Sequence, residues 1–130
     1  MQVSNVATMG TVETSLRAKK AVDYQLRGIA ASRGVARGRC IIVRSREDLG
    51  RLKDGAIVVC TTAAPYLIPF IPRLGGLATE KGGIGASALF YAREHDIPAV
   101  VGVKGLLECV REGDTIWVDG ENGVAYSINS

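Results

Sequence analysis

Short apolar segments, separated by turns that contain glycine, recur along most of this chain and predict a series of short strands. The run 55–60 is continuously apolar, which is typical of a strand buried on both faces. A short strand before Gly34 and another over 35–43 are expected, joined by a tight turn. The remaining strands are predicted over 74–79, 97–101, 115–118 and 124–128.

Helices are predicted between these strands, at places where a capping residue or a proline precedes good helix formers. Ser45 suits the N-cap of a short helix. Pro65 suits the first turn of a helix over 66–72, which the threonines before it could cap. A longer helix is expected over 85–95 and a short one over 106–110. Because βα units lie between two β-rich ends, the pattern indicates an α/β protein.

The first 26 residues differ from the rest, because they are polar at first and then show only a weak apolar stripe. A helix is predicted over 11–26, and residues 1–26 are expected to be an N-terminal arm or a linker helix. The 130 residues, 47% hydrophobic and 22% charged, fit one globular domain. No apolar run is long enough to span a membrane and no secretory signal is recognised, so a cytoplasmic protein without a membrane partner is expected.

Three cysteines and a single histidine limit the metal chemistry that the chain can support. Cys40, Cys60 and Cys109 are far apart and form no Cys-x-x-Cys pair, so we expect them to be reduced thiols. A zinc site needs clustered cysteines or histidines, which are missing here. Neither a metal nor a cofactor is therefore expected.

The net charge of +3 is unevenly distributed along the chain. Between Arg27 and Lys53 there are eight basic residues and two acids, whereas the segment from Lys104 onward is acidic. A solvated basic face is the simplest interpretation, and a docking surface for an acidic partner or a phosphorylated ligand is the alternative. A nucleic acid is not expected as a partner, because no motif and no alternation of basic and aromatic residues accompanies the charge.

The segment 79–102 contains the residues best suited to chemistry. Gly82, Gly83 and Gly85 precede a run of helix formers, and such a backbone can present unpaired N–H groups to an anion. We call residues 82–85 the glycine turn. Ser87 lies at the start of the predicted helix and is the only obvious nucleophile there. The segment therefore predicts a phosphate or carboxylate site, with Ser87 beside it.

The segment from Gly28 to Ile128 resembles the mobile, phosphohistidine-bearing swivelling domain of the PEP-utilising enzymes. These include pyruvate phosphate dikinase, PEP synthase, the first enzyme of the sugar phosphotransferase system and rifampicin phosphotransferase. The matching motifs are Ala31-Ser-x-Gly34, Ala36-x-Gly38, Gly55-x-Ile-Val, Thr62-x-x-Pro65, Thr79-Glu-x-Gly-Gly83, Ala92-Arg-Glu94, Ile97-Pro-Ala-Val-Val-Gly102, Gly113-Asp, Val118-Asp-Gly120 and Gly123-Val. The resemblance implies a compact β/β/α domain over 27–130 that carries phosphate on a histidine between an ATP-grasp domain and a second active site.

The chain departs from the family at the phosphorylated residue. The family pattern reads Gly-Gly-x-Thr-Ser-His-Ala-Ala-x-x-Ala-Arg-Glu, and the ungapped span here reads Gly82-Gly-Ile-Gly-Ala-Ser-Ala-Leu-Phe-Tyr-Ala-Arg-Glu94. By this resemblance, Ser87 occupies the position of the phosphorylated histidine. Gly85 and Ala86 replace the usual Thr-Ser pair, and Leu89 replaces a small residue.

A reversible phosphate relay through Ser87 is not expected. A phosphohistidine is a phosphoramidate with a high transfer potential, whereas a phosphoserine is an ordinary ester. A serine also needs a base, and the only histidine, His95, lies eight residues on, about 12 Å along a helix. Three roles remain for Ser87: a small residue that caps the helix or lines the turn, a neighbour of a noncovalent anion site, or a target of an external kinase.

The candidate site follows from these residues. Ser87 is the candidate catalytic residue, and the candidate anion-binding residues are Thr79, Gly82, Gly83, Gly85 and Arg93. Arg93 and Glu94 also fit an ion-pair pattern that supports the end of the helix, and Arg93 is too far along to share the face of Ser87. Thr61 and Thr62 follow a buried strand, where open α/β folds place ligands, and are weaker candidates.

Three functions of different classes are compatible with the sequence. The first is a stand-alone homologue that lacks the phosphorylatable histidine and acts as a binding or docking module, with an ATP-grasp or a PEP- or pyruvate-binding protein as its partner. The second is an active phosphotransferase component in which Ser87 is an altered acceptor. The third is an unrelated enzyme or subunit that reuses the fold. Enzymatic activity and homo-oligomerisation are both left open.

Overall fold

A computed structural model of the protein describes residues 23–83 and 85–127. In this part of the chain, eight strands form one sheet and four short helices connect them. The strands are β1 (Tyr24–Arg27), β2 (Ile29–Ser32), β3 (Val35–Ile42), β4 (Ile57–Cys60), β5 (Gly76–Thr79), β6 (Ala99–Val101), β7 (Thr115–Asp119) and β8 (Val124–Ser127). The helices are two 3-10 helices, Arg46–Arg51 and Pro65–Arg73, and two α-helices, α1 (Ser87–Glu94) and α2 (Leu106–Cys109). The predicted strands from residue 28 onward are confirmed.

The strand order is β1-β8-β7-β3-β4-β5-β6-β2, and the sheet changes character at β3. Residues 35–39 of β3 pair antiparallel with β7, and residues 40–42 pair parallel with β4. Strands β4, β5 and β6 continue the parallel part, and β2 closes it as an antiparallel edge strand. The carboxyl ends of the parallel strands therefore point to one end of the molecule.

The parallel strands form the middle of three layers, because their side chains alternate between two hydrophobic cores. Val59 faces the core shared with the antiparallel strands, where Ile116 lies. Val58 faces the opposite core, which Leu89 of α1 and Ile71 of the second 3-10 helix fill. The β/β/α arrangement that the resemblance implied is confirmed.

Strands β1 and β2 follow each other in the chain but lie at opposite ends of the strand order. Only Gly28 separates them, so their adjoining Cα atoms lie within about 7 Å and the two edges of the sheet must approach each other. The Gly28 N–H donates to the Gly123 carbonyl over 2.8 Å. A side chain at Gly28 would collide with the Val101 carbonyl oxygen, so the closure requires glycine at this position.

Two predictions about the helices need correction. The helix predicted over 11–26 does not reach Leu26, because Tyr24 and Leu26 point into the core with the period of two of a strand. The rest of the predicted arm, 1–22, lies outside the described residues. Ala64, and neither of the threonines, is the N-cap of the helix Pro65–Arg73, and no side chain caps it.

Two further predictions concern the cysteine thiols and membrane-spanning segments. Cys40, Cys60 and Cys109 are all free, and the first two are buried. Burial raises the pKa of the Cys40 and Cys60 thiols to about 12, so neither is a thiolate near neutral pH. Within residues 23–83 and 85–127, none of the helices has the length and apolar character that crossing a membrane requires.

Candidate functional site

The glycine turn lies where the carboxyl ends of three parallel strands meet. It follows β5, while Thr62 follows β4 and Gly102 follows β6. A Cβ built on Gly82 would lie 3.6 Å from Cγ2 of Thr62, and one built on Gly102 would lie 4.0 Å from the Gly82 carbonyl oxygen. The structure thus brings the weaker candidate Thr62 to the glycine turn, at the sheet end where α/β proteins bind ligands.

Thr79 holds the start of the glycine turn in place. Its side chain is buried, with 1% exposed, and its hydroxyl donates to the Lys81 carbonyl over 2.7 Å. The Lys81 N–H donates in turn to the Thr61 carbonyl over 2.8 Å, and the Val103 N–H donates to the Thr79 carbonyl over 3.0 Å. The hydroxyl of Thr79 is therefore engaged within the chain, and the residue positions the backbone of the turn.

The glycines of the turn differ in backbone conformation and in their surroundings. Gly82 has φ of +98°, a conformation that strongly favours glycine. Gly83 and Gly85 are exposed, and a Cβ on either would meet no atom within 4 Å. Ile84 lies outside the described residues. Apart from their neighbours in the chain, no described residue crowds the position of a side chain at Gly83 or Gly85.

Ser87 is the first residue of α1, and its side chain is exposed. The N-cap is Ala86, with φ of −62° and ψ of 144°, and no side chain caps the helix. The capping role considered for Ser87 is thus wrong, because the chain enters the helix one residue earlier. The first intrahelical hydrogen bond runs from the Leu89 N–H to the Ala86 carbonyl over 3.0 Å. The N–H groups of Ser87 and Ala88 therefore precede the hydrogen-bonded part of the helix.

An aromatic pair lies on the same face of α1 as Ser87. Phe90 and Tyr91 are three and four residues on, which places them beside Ser87 on the helix surface. They are 52% and 39% exposed, and their rings form an edge-to-face pair with centroids 5.2 Å apart. Ala88, Leu89 and Ala92 are buried on the other face. The sequence analysis did not identify this pair. The helical spacing of the apolar residues Ala88, Leu89 and Ala92 could have placed Phe90 and Tyr91 on the exposed face.

Arg93 and His95 lie away from the glycine turn, toward the end of α1. The Arg93 Nε donates to the Ala31 carbonyl over 2.9 Å and so ties the helix to β2. Arg93 also lines a cavity of about 580 Å³ that contains Arg33, Asp96 and Glu121. His95 is the exposed C-cap of the helix. The structure does not bring Arg93 to the glycine turn, so an anion that it binds would lie in this cavity.

Two lysines that sequence reasoning did not single out follow the strand ends near the turn. Lys81 directly precedes Gly82 and is exposed. Lys104 is also exposed and follows Val103, whose N–H bonds to the Thr79 carbonyl. No signal in the sequence could have placed Lys104 here, because the contact joins the ends of two separate strands.

The basic stretch 27–53 does not form a single surface. The Arg37 guanidinium lies over the ring of Trp117 on the antiparallel layer, whereas Arg46 lies over Tyr66 on the helical layer. Arg51 is held by two carboxylates, at 2.6 Å from Asp48 and 2.7 Å from Glu112. These contacts lower the pKa of Asp48 to about 2 and hold the pKa of Glu112 below its usual range. The prediction of one basic face is therefore wrong.

Comparison with known proteins agrees with this geometry. The family model of the PEP-utilising enzyme, mobile domain, matches residues 52–123. The chain belongs to this family. The matched span includes the glycine turn and all of α1, so the candidate site lies within the part of the mobile domain that defines the family.

Relatives of this mobile domain include much longer proteins. A probable phosphoenolpyruvate synthase of Archaeoglobus fulgidus is 34% identical over 101 residues, which are 78% of this chain and 13% of that protein. The chain spans less than a fifth of the first curated relatives, between 12% and 18% of their length.

Solved structures support the fold. An NMR structure of an Enzyme I protein is 30% identical, with a TM-score of 0.52, and the match covers 63% of this chain and 33% of that one. Aconitase X of Thermococcus kodakaraensis has a TM-score of 0.61 at 19% identity, over 81% of this chain and 98% of that chain. At such low identity the second likeness concerns the fold alone.

Proposed function

We propose that this mobile domain is a docking module that binds a phosphate or carboxylate group presented by a partner protein, and that it does not relay a phosphoryl group. The observation that carries the proposal is the exposed Ser87 at the start of α1, directly after the glycine turn; by the resemblance, Ser87 stands where the family has its phosphorylated histidine. By the resemblance, the chain keeps the Gly82-Gly83 pair and the helix that follows it, whereas a serine differs in chemistry from a phosphate-accepting histidine.

The surroundings of Ser87 support a noncovalent role. Among residues 23–83 and 85–127, no hydrogen bond joins a side-chain base to the Ser87 hydroxyl, and His95 caps the opposite end of α1. A serine without a base is a weak nucleophile. A phosphoserine, once formed, would be a stable ester that does not return its phosphate. The hydroxyl can still donate one hydrogen bond to a bound anion.

Backbone and side-chain cations at the turn favour an anion. The N–H groups at the start of α1 precede the intrahelical ladder, and the helix dipole adds partial positive charge there. The exposed residues Lys81 and Lys104 follow the strand ends that meet at this turn, Lys81 next to Gly82 and Lys104 next to Val103. An anion held there would meet two cations and several backbone donors, without any covalent step.

The aromatic pair of α1 supports docking to a protein. Phe90 and Tyr91 are two of the four large hydrophobic side chains that are exposed in the described part of the chain. Exposed aromatic residues are frequent anchors of protein interfaces, where they fill a pocket on the partner. We propose that the partner is an ATP-grasp or a PEP- or pyruvate-binding protein, which presents the anion beside an apolar pocket.

One experiment tests the noncovalent role. The ¹⁵N-labelled chain is titrated with inorganic phosphate and with PEP, and Gly83, Gly85 and Ser87 are expected to shift while Lys81→Gln weakens the effect. Arg37→Gln is the control, because Arg37 is exposed and lies over Trp117 on the antiparallel layer. In parallel, the chain is incubated with radiolabelled ATP or PEP and candidate partners. An acid-labile label on the chain would contradict the proposal, and an acid-stable label on Ser87 would favour the altered-acceptor function.

A second experiment tests docking. Binding of the chain to the isolated ATP-grasp and PEP-binding domains of a PEP synthase is measured by calorimetry. The double variant Phe90→Ser and Tyr91→Ser should lose binding by about tenfold or more, which is the usual effect of removing an interface anchor. Val35→Ser is the matched control, because Val35 is 51% exposed but lies on β3, away from α1. Equal losses in both variants would contradict the assignment of the docking face.

A further inference from the structure

A second cavity lies at the opposite end of the parallel strands, and we infer that it binds a small organic anion with an apolar body. The cavity has a volume of about 510 Å³, and its lining includes Arg39, Cys40, Lys53, Asp54, Ala56 and Glu112. It opens where residues 53–56 lead into β4, whereas the glycine turn follows the end of β5. The inference is independent of the function proposed for the glycine turn.

The charges around this cavity do not cancel. Among its lining residues, Asp54 and Glu112 are the acids, and each is already paired with an arginine that does not line the cavity. Asp54 accepts from the Arg73 Nε over 2.8 Å, and Glu112 accepts from the Arg51 guanidinium at 2.7 and 2.8 Å. The two cations of the lining, Arg39 and Lys53, have no such partner in the described part of the chain.

The cationic side chains, and not backbone N–H groups, would therefore bind the anion. Backbone donors at both glycines of the cavity are occupied, since Gly55 donates to the Arg73 carbonyl and Gly113 donates to the Cys40 carbonyl. Arg39 and Lys53 are exposed and stand at the rim, where their side chains can reach an incoming anion. An Arg and a Lys together suit a carboxylate or a phosphate.

The buried residues at the floor of the cavity are the reason to expect a ligand with an apolar body. Cys40 is fully buried, Ala56 is nearly so, and Ile41 is half-buried. The Cys40 thiol is uncharged near neutral pH, because burial raises its pKa to about 12. Cavities of roughly 300–1,000 Å³ hold small organic ligands, so the volume exceeds what a bare phosphate needs. Charges at the rim and an apolar floor together select an amphiphilic anion.

Paired probes that differ only in charge test the inference. The ¹⁵N-labelled chain is titrated with benzoate and, separately, with its neutral isostere benzamide. Benzoate is expected to shift the amides of residues 39–41, 53–56 and 112–113 in a saturable way, and benzamide to shift them at least about threefold more weakly. Because the attraction is electrostatic, raising the salt concentration from about 0.05 to 0.5 M should weaken benzoate binding.

Variants of the charged lining sharpen the test. Arg39→Gln and Lys53→Gln should each weaken benzoate binding by about three- to tenfold, and Asp54→Asn should strengthen it by about threefold. Arg44→Gln is the control and should leave binding unchanged. The first three positions are exposed, so the variants should fold, which circular dichroism checks. The inference is overturned by any of three results: no shift with benzoate, equal binding of benzamide, or full affinity in both cation variants.

Discussion

Replacing Thr79 by valine separates a positioning role from a ligand-binding role at the glycine turn. Threonine and valine have nearly the same shape, so the change replaces the hydroxyl of this buried residue by a methyl group of similar size. The hydroxyl now donates to the Lys81 carbonyl over 2.7 Å. A methyl carbon needs about 3.5 Å or more from that oxygen, so the Lys81 peptide must move by nearly 1 Å.

The magnitude follows from the exposure of the acceptor. A net hydrogen bond contributes about 0.5–1.5 kcal/mol, and an acceptor left buried without a partner costs more. Because Lys81 is exposed, water can replace the lost donor, and the free energy of unfolding should fall by about 1 kcal/mol. Urea unfolding should show a lower midpoint with an unchanged slope. Amide exchange at Lys81 and Val103, whose N–H groups bond to the Thr61 and Thr79 carbonyls, should accelerate, since the turn loses its anchor.

A matched substitution controls for the change of residue type. Thr115→Val removes a hydroxyl that makes no hydrogen bond in the described residues, and its unfolding free energy should stay within about 0.5 kcal/mol of the original. Two results for Thr79→Val would refute the reasoning. Unchanged stability with unchanged amide exchange would mean that the hydroxyl does not hold the turn. Loss of phosphate binding with a rigid, fully stable turn would make Thr79 a direct ligand.

Three further predictions concern the packing of α1, the close approach of Gly120 to β2, and the pH dependence of stability. Leu89→Ala should lower the unfolding free energy by about 2–5 kcal/mol, because Leu89 is 1% exposed in the core beneath α1, whereas Phe90→Ala should change it by less than about 0.5 kcal/mol. Gly120→Ala should prevent or severely weaken folding, since a Cβ there collides with the backbone of β2, and the yield of folded protein reports this. Arg51→Met should lower the free energy of unfolding near neutral pH. This loss should disappear as the pH falls from about 5 to 2, measured by urea unfolding at each pH. The sign follows from Asp48: its folded pKa of about 2 lies below the usual value, so the stability it contributes is present above that value and vanishes toward acid.

Each of these predictions has a result that contradicts it. A small effect of Leu89→Ala, or a large one of Phe90→Ala, would mean that α1 packs through its other face. Gly50→Ala is the control for the glycine, because a Cβ at Gly50 meets nothing within 4 Å and should be tolerated. For the pH series, a constant difference between Arg51→Met and the original chain would show that Arg51 does not set the pKa of the carboxylates.

The sequence was most informative where local chemistry decides the structure. The apolar run before Cys60 is a strand buried on both faces, as predicted, because alternate side chains enter two cores. The glycine turn and the helix after it were also predictable, since Gly82 has φ of +98°, a conformation that favours glycine. The resemblance over 28–128 then led to the β/β/α fold, which depends on pairings that local patterns do not specify.

The contacts that the sequence could not reveal are those set by strand register. Arg37, Trp117 and Tyr126 form a row across three strands, in which the two aromatic rings stack with centroids 5.7 Å apart. Basic and aromatic residues therefore do lie side by side, although nothing in the order of the chain suggested it. Both faces of the Trp117 ring have a neighbour in this row, so the row stabilises the antiparallel layer.

The separation of β1 from β2 determines when the sheet can be completed. Tyr24 pairs with Ser127 and Ile29 pairs with Val101, so both N-terminal strands need partners from the last third of the chain. During synthesis, β1 and β2 emerge from the ribosome before those partners and must wait for them. Pairings this distant in sequence are slow to form. The sheet should therefore be completed only after β6 and β8 have formed, and β1 and β2 remain unpaired edges until then.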